Sequence, residues 1–390
     1  MKIHRVKSGE SYRGIAEMHG VPTTMLCDYN GVSFRDCPYE GEELLIPEST
    51  RTVCAKRTDT LESIADRFGV NCKKLIAMNP GKKPEYRLIE GEPIGVRFPD
   101  EELGMIVTNG YFYKGCSQER LRSALNYTSF ITVCACSISN GEIRALIDEA
   151  EVLDEARRAG ATPIMRAYLG PVPSPSRLYE ICSRLAKRAK SYGYAGIALS
   201  RLKIPSSEGA SVSDMLREAR AILSDLGLGL TYEVDEGDYT DGIGVADLSV
   251  LAYDKLHLDP IPTFTSGEDK ILREVAERAD PSRILIDLSP FAYKKDKYIG
   301  KEDAVRFIRK RNLTLRHDDE RGVIYAEDPT KDSYSLVLES LENLKAKLRL
   351  ISELGFMGIS FDIARTPINE LLAVRGLFGI AGSPSFFRPE

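Results

Sequence analysis

The chain has 390 residues, which is more than a single hydrophobic core usually accommodates, so more than one domain is predicted. The formal net charge is -5 at pH 7 and no basic run is present, which argues against nucleic acid or a membrane surface as a partner. No stretch approaches the roughly 18 apolar residues of a membrane span. Residues 1–5 lead directly into patterned sequence, without the apolar core of a signal peptide.

The cysteines argue against a disulfide scaffold. There are 8 in the chain, and none stands in the paired CxxC arrangement that is typical of a zinc site. Free thiols are therefore favoured, with pairing of Cys27 to Cys37 or of Cys54 to Cys72 as the alternative. The sequence predicts neither a metal nor a cofactor.

Residues 1–98 contain an internal repeat whose matching residues share one offset. The matches are Ile15-Ala16 with Ile64-Ala65, Gly20-Val21 with Gly69-Val70, Leu26 with Leu75 and Asn30 with Asn79. A closing segment at 41–44 matches 91–94 with a slip of one residue. Two small domains, 1–48 and 51–98, are therefore predicted.

Each copy has the pattern of a strand, two helices and a second strand. The strands are predicted at 3–6, 44–46, 52–55 and 94–96, and the first helix of each copy at 12–19 and 61–68. Gly9 allows a tight turn and Ser11 can cap the following helix. The corresponding helix start in the second copy carries Asp59 and Thr60. Both copies are therefore predicted to be βααβ units.

These residues resemble the LysM module, whose opening appears here as Val6 to Ser11 and whose close appears as Leu44 to Pro47. The resemblance implies recognition of chains that contain N-acetylglucosamine, through the first turn and the loop before the last strand. The binding residues that it implies are Gly9, Glu10, Ser11, Asn30, Asp59, Thr60 and Asn79. Thr58 replaces the expected turn glycine in copy two, so weaker binding is predicted there. A spacer or a protein-contact module is the alternative for both copies.

After a short polar joint at 99–102, apolar runs of strand length alternate with helical segments. The strands are predicted at Met105–Tyr111, Phe130–Cys136, Pro163–Tyr168, Ile197–Leu199, Leu228–Tyr232, Leu248–Ala252, Ile284–Leu288 and Ile359–Phe361. Helices are predicted at 142–159, 176–192, 213–226 and 336–354. Eight such units predict a (β/α)8 TIM barrel over 103–390, an α/β fold. An open doubly wound sheet is disfavoured because no glycine-rich phosphate loop follows any strand.

Active sites of such barrels lie at the carboxyl ends of the strands, and the residues predicted there are rich in tyrosine. The chain has no Trp, so tyrosine and phenylalanine would have to provide stacking surfaces for a sugar. The candidate sugar-binding residues of this mouth are Tyr111, Tyr168, Tyr232, Tyr253, Asp254 and Tyr293.

Four segments of this region resemble glycoside hydrolase family 18, in particular its LysM-bearing spore cortex branch. They are Leu251–Asp254, Ile284–Tyr293, Tyr325–Asp328 and Gly358–Phe361. The family's catalysis rests on carboxylates at the end of strand four, where a Glu donates a proton and an Asp orients the substrate's N-acetyl group. The corresponding positions here are Ala195, Ser200 and Leu202, none of which can donate a proton as a carboxylic acid does.

Two hypotheses follow for the barrel. The favoured one is a barrel without hydrolytic activity that binds glycan, or a protein, in its mouth. The alternative is an active hydrolase whose acid has moved to Glu233 or Asp287, with Asp254 as its partner. If these acids have no catalytic role, Glu233 is expected to be a solvated acid at the rim. Asp287 is then expected to form an ion pair with Arg166 or Arg201.

The expected partner is peptidoglycan or a chitin-like glycan, with spore-coat proteins as a further partner class. The resemblance implies a location in the spore cortex, the spore coat or the cell wall, and the cytoplasm is the alternative.

Overall fold

The computed structural model describes residues 1–82, 87–139, 142–169, 175–200, 211–234, 242–251, 268–288, 291–294, 297–311, 313–327 and 334–387. Among the helices in these ranges, none is both long enough and apolar enough to cross a bilayer.

The first module consists of two strands and two helices. They are β1 (Lys2–Arg5), α1 (Tyr12–His19), α2 (Thr23–Asn30) and β2 (Glu43–Ile46). The strands pair antiparallel, with Lys2 opposite Ile46. Ser11 caps α1 by accepting the N–H of Gly14, and Gly20 ends the helix in the left-handed conformation. Ile15, Leu26 and Leu44 form its core.

The second module repeats this arrangement with β3 (Arg51–Cys54), α3 (Leu61–Phe68), α4 (Cys72–Ala77) and β4 (Pro93–Arg97). Thr60 and Ser63 form a reciprocal capping box at the start of α3. The predicted βααβ units are confirmed in both copies.

The rest of the chain contains, in order, β5 (Met105–Phe112), α5 (Gln118–Leu125), β6 (Phe130–Ser139), β7 (Glu142–Ala145), α6 (Ala150–Arg158), β8 (Thr162–Leu169), α7 (Pro175–Tyr192), β9 (Gly196–Ser200), α8 (Val212–Ser224), β10 (Gly229–Val234), β11 (Leu248–Leu251), α9 (Glu268–Arg278), β12 (Ile284–Asp287), β13 (Phe291–Lys294), β14 (Lys297–Gly300), α10 (Lys301–Arg311), β15 (Thr314–Asp318), β16 (Val323–Glu327), β17 (Tyr334–Glu339), α11 (Leu341–Glu353), β18 (Gly358–Asp362), α12 (Ile368–Leu377) and β19 (Gly379–Ile380). Short 3-10 helices occupy Pro281–Arg283 and Ser385–Phe387.

Eight parallel strands close into a barrel in the order β5, β6, β8, β9, β10, β11, β12 and β18, with β18 pairing back to β5. All eight predicted strands belong to it, so the predicted TIM barrel is confirmed. Apolar side chains that include Ile164, Leu248 and Leu285 fill its interior. Phe387 joins them, and a Cβ on Gly229 would lie 2.6 Å from its ring, so a glycine is needed there.

Two predicted helices begin later than expected. Residues 142–145 form β7, which pairs antiparallel with the end of β6, and α6 starts only at Ala150. Residues 334–339 form β17, which contains the apolar run Leu336 to Leu338, and Ser340 then caps α11. At 142–145 a period of two was taken for the start of a helix, and at 336–338 a short continuous apolar run was taken for one.

An unpredicted subdomain, residues 291–339, is inserted between β12 and α11. Its antiparallel sheet has the order β14, β13, β17, β16 and β15, and α10 packs on it through Ala304 and Ile308. The strand β15 lies at the edge of this sheet. Tyr325 to Glu327 belong to β16, whereas Asp328 is outside the described residues.

Both modules pack against the barrel region. Lys73 of module 2 donates to the carbonyl oxygens of Thr128 and Ala159, and Tyr29 of module 1 donates to the carbonyl oxygen of Met78 in module 2. Met25 and Tyr29 belong to the hydrophobic cluster that also contains the outer core of the barrel. The division into domains at 1–48, 51–98 and 103–390 stays a prediction. The hydrogen bonds and the shared hydrophobic cluster connect all three regions.

Candidate functional site

Arg166 lies at the centre of the barrel mouth. It points inward from β8, and its side chain is 13% exposed. It donates to the hydroxyl of Tyr168 at 2.8 Å and to that of Tyr113 at 3.2 Å. Its guanidinium lies 4.5 Å from the ring centroid of Tyr168 and 5.2 Å from that of Tyr111. The cation is therefore held in an aromatic cage.

Glu233 lies on β10, and its carboxylate forms an ion pair with the guanidinium of Arg166 on β8. Burial alone would lower the pKa of Arg166, but the facing carboxylate and tyrosines outweigh it, so this pKa is raised and the guanidinium stays charged. The interpretation of Glu233 as a solvated rim acid is wrong, because the residue is only 8% exposed. Buried acids need such a partner.

Asp287 lies at the end of β12 and accepts a hydrogen bond of 2.7 Å from the hydroxyl of Ser360. The expected ion pair between Asp287 and Arg166 is not formed, because the guanidinium is turned to Glu233 instead. The other expected partner, Arg201, lies outside the described residues.

The end of barrel strand four carries no acid in its described part. Ala195 precedes β9 and contacts the apolar interior cluster. Ser200 is the last residue of β9, is buried, and lies between Tyr168 and Glu233 in strand register. Leu202, together with Tyr253 and Asp254 after strand six, lies outside the described residues.

The structure brings two of the proposed tyrosines together in the mouth and places two elsewhere. Tyr111 is buried under Tyr113, with ring centroids 6.1 Å apart, and Tyr168 completes the group. Tyr232 is instead in the outer core with Leu230, because it has the opposite strand parity from Glu233. Tyr293 packs against Val323, Tyr325 and Val337 in the inserted sheet.

Two further mouth residues were not proposed as ligand-binding groups. Tyr113 follows Tyr111 with the same parity, and its ring centroid lies 5.8 Å from the guanidinium of Arg166. Cys134 accepts a hydrogen bond of 3.6 Å from Arg166, and burial raises the pKa of its thiol to about 11. All eight cysteines of the chain are free.

In the first turn of module 1, Gly9 is exposed, whereas the Glu10 side chain is engaged in hydrogen bonds within the module. Gly9 has φ 79° and open space around its Cα. The Glu10 carboxylate accepts the N–H of Lys7 and a hydrogen bond from His4, both at 2.8 Å. Ser11 Oγ accepts the N–H of Gly14 at 3.1 Å. The exposed backbone around Gly9 is therefore the part of this turn that a ligand can reach.

The corresponding turn of module 2 keeps the same design despite Thr58. The N–H of Asp59 donates to the Lys56 carbonyl oxygen at 2.9 Å, as the N–H of Glu10 does to that of Lys7. Asp59 also accepts from Lys56 N–H and from both terminal nitrogens of Arg67. Thr60 is occupied as the helix cap.

Asn30 and Asn79 join the second helix of each module to its last strand. Asn79 donates to the carbonyl oxygens of Leu75 and Gly95 and accepts the N–H of Gly95, at 2.8 to 2.9 Å. Asn30 makes the same three contacts with Leu26 and Leu45. Both carboxamides are therefore engaged inside their modules.

Comparison with known proteins identifies the modules. The LysM domain family model matches residues 4–47 and 56–94. No curated protein matches the chain.

Solved structures share the fold over nearly the whole chain. The spore cortex-lytic enzyme SleL of Bacillus cereus has a TM-score of 0.74 at 14% identity, over 98% of this chain and 100% of that one. SleL of Bacillus megaterium has a TM-score of 0.72 at 16% identity, over 98% of this chain and 99% of that one. A class V chitinase from Pseudomonas fluorescens matches 70% of this chain and 99% of its own, with a TM-score of 0.60 at 14% identity. Residues 4–47 and 56–94 are therefore LysM domains, and they precede a barrel with the fold of the SleL and class V chitinase structures.

Proposed function

We propose that this protein binds cell-wall glycan that contains N-acetylglucosamine, either peptidoglycan or a chitin-like polymer, through its tandem LysM domains. The observation that carries the proposal is the pair of LysM domains, together with the exposed turn around Gly9 in the first of them. A glycine at this place lets a ligand approach the backbone closely. Two linked modules also raise the effective concentration of each for one polymer.

We propose further that the barrel has no hydrolytic activity. Ser200 provides a hydroxyl where the related hydrolase family has a carboxylate, and Leu202 takes the position of the acid Glu. A lost general acid removes roughly 10²–10⁴ in rate. The mouth is also occupied by the cation of Arg166 and its cage of tyrosines.

The competing function is a hydrolase with a relocated acid. Glu233 and Asp287 at the mouth are the observation that favours it. The ion pair with Arg166 speaks against Glu233, because a facing cation favours the charged carboxylate and a general acid must begin the reaction protonated. Asp287 is the other candidate, and it accepts a hydrogen bond from the hydroxyl of Ser360.

The likeness to the two SleL structures supports a location in the cell wall or the spore cortex. Spore-coat proteins are proposed as further partners on the resemblance alone. Pelleting of the protein with isolated spore cortex, and its recovery from spore fractions by specific antibody, tests this location.

Binding is tested by pelleting the full-length protein with insoluble peptidoglycan and with chitin. A Gly9→Val variant should bind more weakly, since a β-branched residue at φ 79° strains the turn. Gly104→Val is the matched control, because Gly104 has the same φ and also lies in open space, outside the module. Equal loss in both variants, or none in either, would contradict a ligand-binding role of the turn.

Hydrolysis is tested by release of reducing ends from cortex fragments and chitin oligomers at several pH values. The expected result is no release above the blank. Release that disappears in Asp287→Asn or in Glu233→Gln would establish the competing function.

A further inference from the structure

An open cavity of about 770 Å³ lies between module 1 and the inserted subdomain. Module 1 contributes its first turn, residues 7–9, and the loop between α2 and β2, residues 35–40. The inserted subdomain contributes Arg309, Leu313 and Thr314. Two separate parts of the chain therefore line one cavity, which we call the shared groove.

Arg309 fixes the two parts to each other. It extends from the last turn of α10 and donates to the hydroxyl of Tyr12 at 2.9 Å and to the carboxylate of Glu42 at 3.1 Å. It also donates to Asp36 at 3.2 Å, and its guanidinium lies 5.5 Å from the ring centroid of Tyr39. The loop of module 1 is thus held in one position by a residue of the inserted subdomain.

A second contact holds the end of this loop. His317 on the edge strand β15 donates to the carbonyl oxygen of Gly41 at 2.7 Å. Gly41 has φ 84°, and a Cβ there would lie 2.8 Å from Cβ of Leu315. Only a glycine allows this close packing, which also covers the open edge of the inserted sheet.

The accessible surface of the shared groove is polar and carries charges of both signs, since the exposed residues Lys7, Arg35 and Glu40 also line it. Gly9, Asp36, Cys37 and Thr314 are exposed there, so polar backbone and side-chain groups of both parts face solvent. Phe34 precedes the lining residue Arg35 in the chain and is 63% exposed, and the Arg35 guanidinium lies 5.7 Å from its ring centroid. The volume falls within the range of about 300–1,000 Å³ that is usual for ligand sites.

We propose that the shared groove binds one glycan chain between module 1 and the barrel's inserted subdomain, with Thr314 in contact with the ligand. This inference rests on the proposed glycan-binding function. It adds that module 1 binds together with the barrel region and does not act as an independent module. A loop held before binding loses little conformational entropy when the ligand arrives.

Cys37 offers a native reporter for this groove. Its thiol is exposed in the groove lining, and the exposed Cys54 on β3 lies outside it and serves as the internal reference. The full-length protein is alkylated with iodoacetamide, with and without chitin oligomers or soluble peptidoglycan fragments, and both cysteines are followed by peptide mass spectrometry. Ligand should slow alkylation of Cys37 and leave that of Cys54 unchanged. The two glycans in separate samples distinguish the source of the ligand.

The contribution of the inserted subdomain is tested with Thr314→Lys in the full-length protein. Added bulk and charge at this exposed position should weaken binding of chitin oligomers about tenfold, equivalent to about 1.4 kcal/mol. Thr52→Lys is the matched control, since Thr52 is also an exposed strand residue and lies outside the groove.

The outcomes separate the two proposals. Weaker binding in both Thr314→Lys and Gly9→Val, with Thr52→Lys unaffected, supports the shared groove. Weaker binding in Gly9→Val alone overturns the shared groove and leaves glycan binding by module 1 intact. Absence of binding and of Cys37 protection in the unmodified protein overturns both.

Discussion

Replacing Glu233 by glutamine should destabilise the barrel, because it leaves Arg166 inside the mouth without its counter-charge. The two side chains are 10% and 13% exposed, so water can screen the remaining charge only weakly. Removal of one partner of a buried ion pair costs about 3–5 kcal/mol. The tyrosine rings around Arg166 remain and retain about 0.5–2 kcal/mol of cation–π stabilisation.

The lower part of this range, about 3 kcal/mol, is therefore expected for Glu233→Gln. At about 2.1 cal/mol/K of unfolding entropy per residue, a domain spanning residues 103–390 loses about 1.7 °C in Tm for each kcal/mol, so a decrease of about 5 °C is expected in calorimetry. The double variant Arg166→Met, Glu233→Gln removes the unpaired charge and should recover most of the loss.

A Glu233→Gln variant with unchanged Tm would refute this reasoning and show that the ion pair does not stabilise the barrel. A double variant as unstable as the single one would show that packing, and not charge, accounts for the loss. Loss of a measurable turnover at unchanged Tm would assign Glu233 to catalysis.

Three further predictions concern the modules. Asn79→Ala leaves the backbone N–H and C=O of Gly95 unpaired, so the unfolding free energy should fall by about 2–4 kcal/mol; unaltered hydrogen exchange in β4 would contradict this. Gly41→Val should separate module 1 from the inserted sheet and speed up hydrogen exchange in β15, whereas Gly20→Val, with φ 66° and open space around it, should not. The Arg67 guanidinium and a backbone N–H hold the pKa of Asp59 below its ordinary value of 3.8. The stability that Asp59 contributes is therefore complete above that value and lost as the pH falls below it, so Asp59→Asn should flatten the acid limb of the stability curve; parallel curves would exclude this linkage.

The repeat and the barrel strands were predictable because their signals are local. Helix caps such as Ser11 and Thr60 act within one turn, and a buried parallel strand is a short apolar run whatever it later pairs with. The two helices predicted too early, at 142 and at 336, fail for the same reason. Over four to six residues there are too few apolar positions to distinguish a strand from the first turn of a helix.

The mouth was predicted in part. Strand ends identify the neighbourhood, so Tyr111, Tyr168 and the acid Glu233 were found. Tyr232 was wrongly included because strand ends alone do not say which side a residue faces, and adjacent strand residues face opposite sides. The partner of Glu233 was likewise undetermined, because two cations, Arg166 and Arg201, and three acids, Glu233, Asp254 and Asp287, allow several pairings.

The sequence by itself determined two LysM modules, an eight-stranded barrel and the replacement of the family's carboxylates by Ala195, before strand four, and by Ser200 at its end. Only the tertiary structure decided that Arg166 pairs with Glu233 and that Arg309 reaches Glu42, 267 positions away. Charged residues that far apart carry no periodic signal, since the energy of an ion pair depends on spatial distance and burial, and chain folding sets both.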